Sequence, residues 1–138
     1  MGNTKSLGIA YIDQDISGSS VIESDAVLGY TAAAQGAVTQ ATSKSTAVTL
    51  NKSAGRITMN GAALAGNAAV SFTLNNIYIS SNDILIMCVS GGSIADATTY
   101  TCYVNTMGVG TASITLRNLT AVSQSEAVII NFALIHCA

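Results

Sequence analysis

The chain has 138 residues, of which 49% are hydrophobic and only 9% charged, with a net charge of −2. Its five cations, Lys5, Lys44, Lys52, Arg56 and Arg117, are scattered, whereas a nucleic-acid site sets several against phosphates, so no nucleic-acid partner is expected. No apolar run approaches the roughly 18 to 20 residues that span a bilayer as a helix, because Thr, Ser and Asn interrupt each one, and no membrane partner is expected either.

A chain of this length holds one domain with a short extension. Residues 1–35 read as an N-terminal arm and connector. Nothing behind Met1–Ser6 has the apolar core of a signal peptide. Ile9-Ala10-Tyr11-Ile12 and Val21-Ile22 are short apolar stretches, and Asp13, Asp15, Glu23 and Asp25 make up four of the seven acidic residues. Tyr30 to Gly36 is small, polar and Gly-ended. Residues 36–138 have a different texture. In Ala37-Val38-Thr39-Gln40-Ala41, Arg56-Ile57-Thr58-Met59-Asn60, Val70-Ser71-Phe72-Thr73-Leu74 and Ser113-Ile114-Thr115-Leu116-Arg117, apolar residues alternate with polar ones. That period of two belongs to half-buried strands.

The pattern predicts about eight strands, near 37–42, 46–51, 55–60, 69–75, 83–90, 98–105, 111–118 and 127–136. Gly, Asn, Asp and Ser fill the gaps between them, the residues that turn a chain by tolerating positive φ or bonding their own backbone. Ala62-Ala63-Leu64-Ala65 reads as a helical turn. Ile84-Leu85-Ile86-Met87-Cys88-Val89 is apolar on both faces, which predicts a central strand covered on both sides, the second cover being the arm or a neighbouring subunit. Val70, Phe72, Leu74, Ile114 and Leu116 would join it in the core. The class is all-β: an antiparallel β-sandwich, jelly-roll-like, with an N-terminal arm. Proline is absent. Edges usually guarded by Pro and charge would then need loops or partner subunits, which favours a fixed oligomer.

Residues suited to catalysis are sparse. The single histidine, His136, lies two residues from the C-terminus, where solvent exposure or an interface contact is expected rather than a place in a triad. No nucleotide-binding or nucleophile-elbow motif occurs. The acidic residues of the arm read as a solvated loop rather than a cation cage. Cys88, Cys102 and Cys137 form no CxxC and are expected as buried free thiols. A cross-strand Cys88–Cys102 disulfide stays open, since geometry decides it. Tyr100 and Tyr103 have opposite strand parity, so at most one faces outward. No enzyme activity and no cofactor are expected.

Three segments together resemble a known family. They are Gly36 to Lys52, then Gly55 to Asn60 with Ala62 to Ala65 and Val70 to Asn76, then Ile114 to Ala121 with Ser125 to Ala133. Over roughly residues 29–138 the chain resembles a β-rich virion module of tailed bacteriophages, found in small head proteins and at the ends of appendage proteins. Met87, Cys88, Cys102 and Tyr103 stand where that family has small or polar residues. The resemblance implies a structural virion protein, a capsid decoration (cement) protein that binds the major capsid protein on the outer surface of the assembled head. It would form a homotrimer and be made in the cytoplasm of a bacterial host. The capsid or subunit interface is expected at Tyr11, Ile12, Val21, Ile22, Leu28 and Tyr30, apolar residues outside the strand pattern. The alternative is a fibre, tail-tip or adhesin module that binds host-surface glycan through an exposed aromatic or acidic loop site.

Overall fold

In the computed structural model the described residues are 25–91 and 98–137. A 3-10 turn at Ala32–Ala34 leads into eight strands. These are β1 (Gln35–Thr39), β2 (Val48–Thr49), β3 (Ala54–Thr58), β4 (Ala69–Asn75), β5 (Ile84–Gly91), β6 (Tyr100–Gly108), β7 (Thr111–Asn118) and β8 (Ile129–Ile135). The all-β reading holds, and every expected strand is present. The helical turn expected at Ala62–Ala65 is not. Leu64 instead forms a bridge with Gln124, and Leu64, Ala65 and Val122 turn their carbonyls to the buried amide of Asn118. A tertiary polar contact takes the groups that a local helical turn would have used.

The strands form two four-stranded sheets, sheet A in the order β1-β3-β8-β5 and sheet B in the order β2-β4-β7-β6. From β1 to β6 the chain alternates between the sheets. Each passage reverses its direction, so every second strand runs the same way. This is why β1 pairs parallel with β3, and β2 with β4, while β8 and β7 pair antiparallel with their neighbours. The two parallel pairs depart from the antiparallel arrangement expected throughout. Parallel neighbours need a crossover, and here the crossover is a strand of the other sheet. The β6–β7 hairpin closes through Val109 and Gly110, with Gly110 at φ 74, the left-handed conformation that glycine adopts without steric cost.

The inner faces meet in one core. Sheet A contributes Ile57, Leu85, Ile130, Phe132 and Leu134, and sheet B contributes Val48, Phe72, Leu74, Tyr100, Ala112, Ile114 and Leu116. Five of these, Ile57, Leu74, Ile114, Leu116 and Ile130, are completely shielded. At roughly 1.5–3 kcal/mol per fully buried aliphatic side chain, this layer is the main favourable term in folding. Contrary to the expectation of a central strand, β5 is an edge strand, with β8 as its only partner among the described residues. Its Ile84 and Ile86 are more than half exposed.

Candidate interaction surfaces

The pairing register lays the outer face of sheet A out as a grid. Ile84 stands beside Ile135, then Ile86 beside Ala133, Ala54 and Gln35, then Cys88 beside Asn131, Arg56 and Ala37. Ile129, Thr58 and Thr39 form the next row. Paired residues point to the same side of a sheet, so the β5–β8 half of this face is apolar apart from Asn131, and among the described residues Arg56 of β3 is the one charge on the face. The small side chains sink the middle of the face. A groove of about 610 Å³ runs over Gln35, Ala37, Ala54, Arg56 and Asn131. It adjoins a hollow of about 200 Å³ over Ile86, Cys88, Asn131 and Ala133. The outer face of sheet B is different. Ser71 and Thr115 share a hydrogen bond at 2.8 Å, and Ala69, Thr73, Ser113 and Arg117 occupy the same side by register.

A second feature lies at one end of the sandwich, where three chain segments converge. Tyr30 arrives from the N-terminal side, and its hydroxyl donates to the carbonyl of Leu134. Tyr78 stands in the β4–β5 loop. That loop is tied down by buried Asn76, which donates to the Lys52 carbonyl at 2.7 Å and accepts from the Tyr78 amide at 3.1 Å. His136 follows the end of β8. Tyr30, Ser53, Tyr78, Leu134 and His136 line a cleft of about 270 Å³.

His136 is held from behind by Asp83, whose side chain is closed off from solvent, with Nδ1 2.8 Å from the carboxylate. That carboxylate also accepts from the Ser80 amide at 2.8 Å, the Ser80 hydroxyl at 2.7 Å and the Cys137 amide at 2.9 Å. Burial alone would raise the Asp83 pKa. The four hydrogen bonds to the ionised form outweigh it and hold the group below the usual carboxylate range. Ser80 donates to Asp83 rather than to His136, so the three residues are not in the order of a nucleophile, a base and an orienting acid.

A buried polar cluster gathers around Lys44. Lys44 donates from Nζ to the carbonyls of Asn60 and Glu126, each at 2.5 Å. Burial lowers its pKa, against the opposing pull of the Glu126 charge. Tyr100 is pushed above the usual phenol range by burial and by the same carboxylate. Gln40 closes the cluster, donating to the Lys44 and Thr46 carbonyls and accepting from the Asn60 amide. The Lys44 ammonium and the Gln40 amide are both engaged by backbone groups inside the fold, which makes this a structural clasp.

The three thiols are free but none is fully buried: Cys88 is exposed, because it sits on the outer face of the edge strand, and Cys102 and Cys137 are partly exposed. Burial, and secondarily the neighbouring Cys88, push the Cys102 thiol up. Tyr100 is buried and Tyr103 is half exposed, as their parity requires. Of the expected interface residues, Tyr11, Ile12, Val21 and Ile22 lie outside the described residues, as do Asp13, Asp15 and Glu23. Leu28 is 82% exposed and Tyr30 is 42% exposed, with Tyr30 in the cleft. Sequence reasoning did not join Asp83, Tyr78 and His136. The turn composition of Ser80 to Asp83 was visible, but its link to the end of β8 was not. Among the described residues no three His, Cys, Asp or Glu side chains gather as a metal centre would require, and no helix is long and apolar enough to cross a membrane. Comparison with protein-family models, with curated proteins and with solved structures finds no match.

Proposed function

We propose that this chain is a structural virion protein of a tailed bacteriophage, a decoration (cement) protein that binds the major capsid protein on the outside of the assembled head. The observation that carries the proposal is the difference between the two outer faces of the sandwich. Sheet B turns out Ser71, Thr73, Ser113 and Arg117 with one half-exposed aromatic, Tyr103, while the β5–β8 half of sheet A turns out Ile84, Ile86 and Ile135. Contiguous exposed apolar area of this kind marks a surface made to be covered. Val27 and Leu28, toward the arm, are exposed apolar residues as well. A rigid body that binds only the assembled shell stabilises it by mass action, and a trimer matches the symmetry of capsid lattices. The family resemblance over residues 29–138 points the same way.

The test is to remove residues 1–28 and incubate the truncated chain with undecorated heads. Wild-type protein sediments with the heads. The truncated chain, still folded by circular dichroism, stays in the supernatant; decoration at the wild-type level would refute the role given to the arm. The second reading, a glycan-binding fibre or adhesin module, is favoured by the aromatic cleft. Copy number in purified virions separates the two, because a decoration protein follows the capsid lattice and a fibre is present in only a few copies.

A further inference from the structure

We propose that the cleft of Tyr30, Ser53, Tyr78, Leu134 and His136 binds a single uncharged pyranose ring of a carbohydrate. The assignment is tested apart from the decoration reading: it uses the end of the sandwich and not the outer face of sheet A, and the two readings share only Tyr30. Two tyrosine rings border the cleft, one anchored at its hydroxyl and the other carried on a pinned loop. Tyr30 is anchored through its hydroxyl to Leu134, and Tyr78 sits on a loop pinned by Asn76. Preset aromatic surfaces bind without a large ordering cost, and tyrosine offers an apolar face with a polar edge, which suits the C–H face and hydroxyl rim of a sugar.

His136 supplies the directional contact. Nδ1 is engaged by Asp83 at 2.8 Å while 64% of the side chain remains exposed. The neutral imidazole then has its proton on Nδ1 and an acceptor at Nε2. A sugar hydroxyl can donate to that acceptor. Asp83 is a positioning residue, its oxygens already taken by Ser80, Cys137 and His136.

Size and charge narrow the ligand. The volume of about 270 Å³ falls just under the roughly 300–1,000 Å³ of drug-sized sites, which suits one ring. A proline-rich peptide also uses tyrosines, but it needs a groove that follows several residues of extended chain. Among the described residues no Lys, Arg, Asp or Glu lines the cleft, so these residues offer neither an acidic nor a basic sugar a counter-charge.

The test is saturation-transfer NMR on the full chain with the methyl glycosides of glucose, galactose and N-acetylglucosamine. At least one should show saturable transfer concentrated on one face of the ring. Tyr78→Ala and His136→Ala should each weaken binding about tenfold, as expected for losing a stacking surface or a directed hydrogen bond. Tyr78 is 52% exposed, so its replacement leaves the fold in place. Tyr103→Ala, a half-exposed tyrosine on the outer face of sheet B, should leave the affinity unchanged. Saturable binding by none of the three sugars overturns the assignment, as does binding that survives Tyr78→Ala or that is seen only with a proline-rich peptide. Head binding measured on Tyr78→Ala should be that of wild type, which separates failure of this site from failure of the decoration reading.

Discussion

Asp83 shows how one buried side chain can fix the end of a sandwich. Its carboxylate joins the turn at Ser80, the amide of Cys137 and the ring of His136, so the start of β5 and the chain after β8 are held together. The pKa is depressed in the folded state and near 3.9 in an unfolded chain. The stabilisation from this group is therefore complete above the unfolded value and is lost as pH falls through the folded one. Urea midpoints measured from neutrality into acid should fall for the wild type below about pH 4. Asp83→Asn should be less stable near neutrality and show a shallower acid limb. Parallel acid limbs in the two proteins would refute the linkage. Turn chemistry at Ser80 to Asp83 was legible in the sequence, because Asp and Ser bond nearby backbone. The partnership with His136 was not, because it depends on β5 and β8 being neighbours.

At the scale of elements, the parallel pairing of β1 with β3 places Gly36 beside Gly55, and Leu50 fills the notch above them. A Cβ on Gly55 would stand 2.6 Å from Leu50 Cδ2 and 2.9 Å from the Gly36 carbonyl oxygen. Gly55→Ala should therefore destabilise the protein by about 1–3 kcal/mol, the usual cost of overpacking. Combining it with Leu50→Ala should recover part of that loss, a non-additivity that a double-mutant cycle in urea would read. Strict additivity would show that the notch is not what constrains Gly55. The strands themselves were legible because alternation has a period that no helix shares. Their pairing was not: β5, apolar on both faces, reads as a central strand, yet it lies at an edge with Ile84 and Ile86 uncovered. Periodicity reports how many faces are apolar, not what covers them.

For the whole molecule, the contrast between the largely polar outer face of sheet B and the apolar β5–β8 half of sheet A gives the decoration proposal its physical content. If this face meets a second copy of the chain, an ammonium placed within it would be buried without a partner, which is strongly unfavourable. Ile86 is 55% exposed in the single chain, so the monomer itself tolerates a longer polar side chain there. Sedimentation velocity should show the wild type as a trimer and Ile86→Lys as a folded monomer with the same circular dichroism. A wild type that is monomeric at every accessible concentration, or an Ile86→Lys trimer, would exclude this face as the subunit contact.

By itself the sequence determined the class and the number of strands, since alternation, turn residues and core hydrophobes act over a few residues. It also determined the inward and outward parity of pairs such as Tyr100 and Tyr103. The tertiary structure decided which strands are neighbours, that two of the pairings run parallel, that β5 is an edge, and that Tyr30, Tyr78 and His136 share one cleft. Those features depend on the path the chain takes between the sheets, and that path is set by burying both inner faces at once rather than by any local stretch of residues.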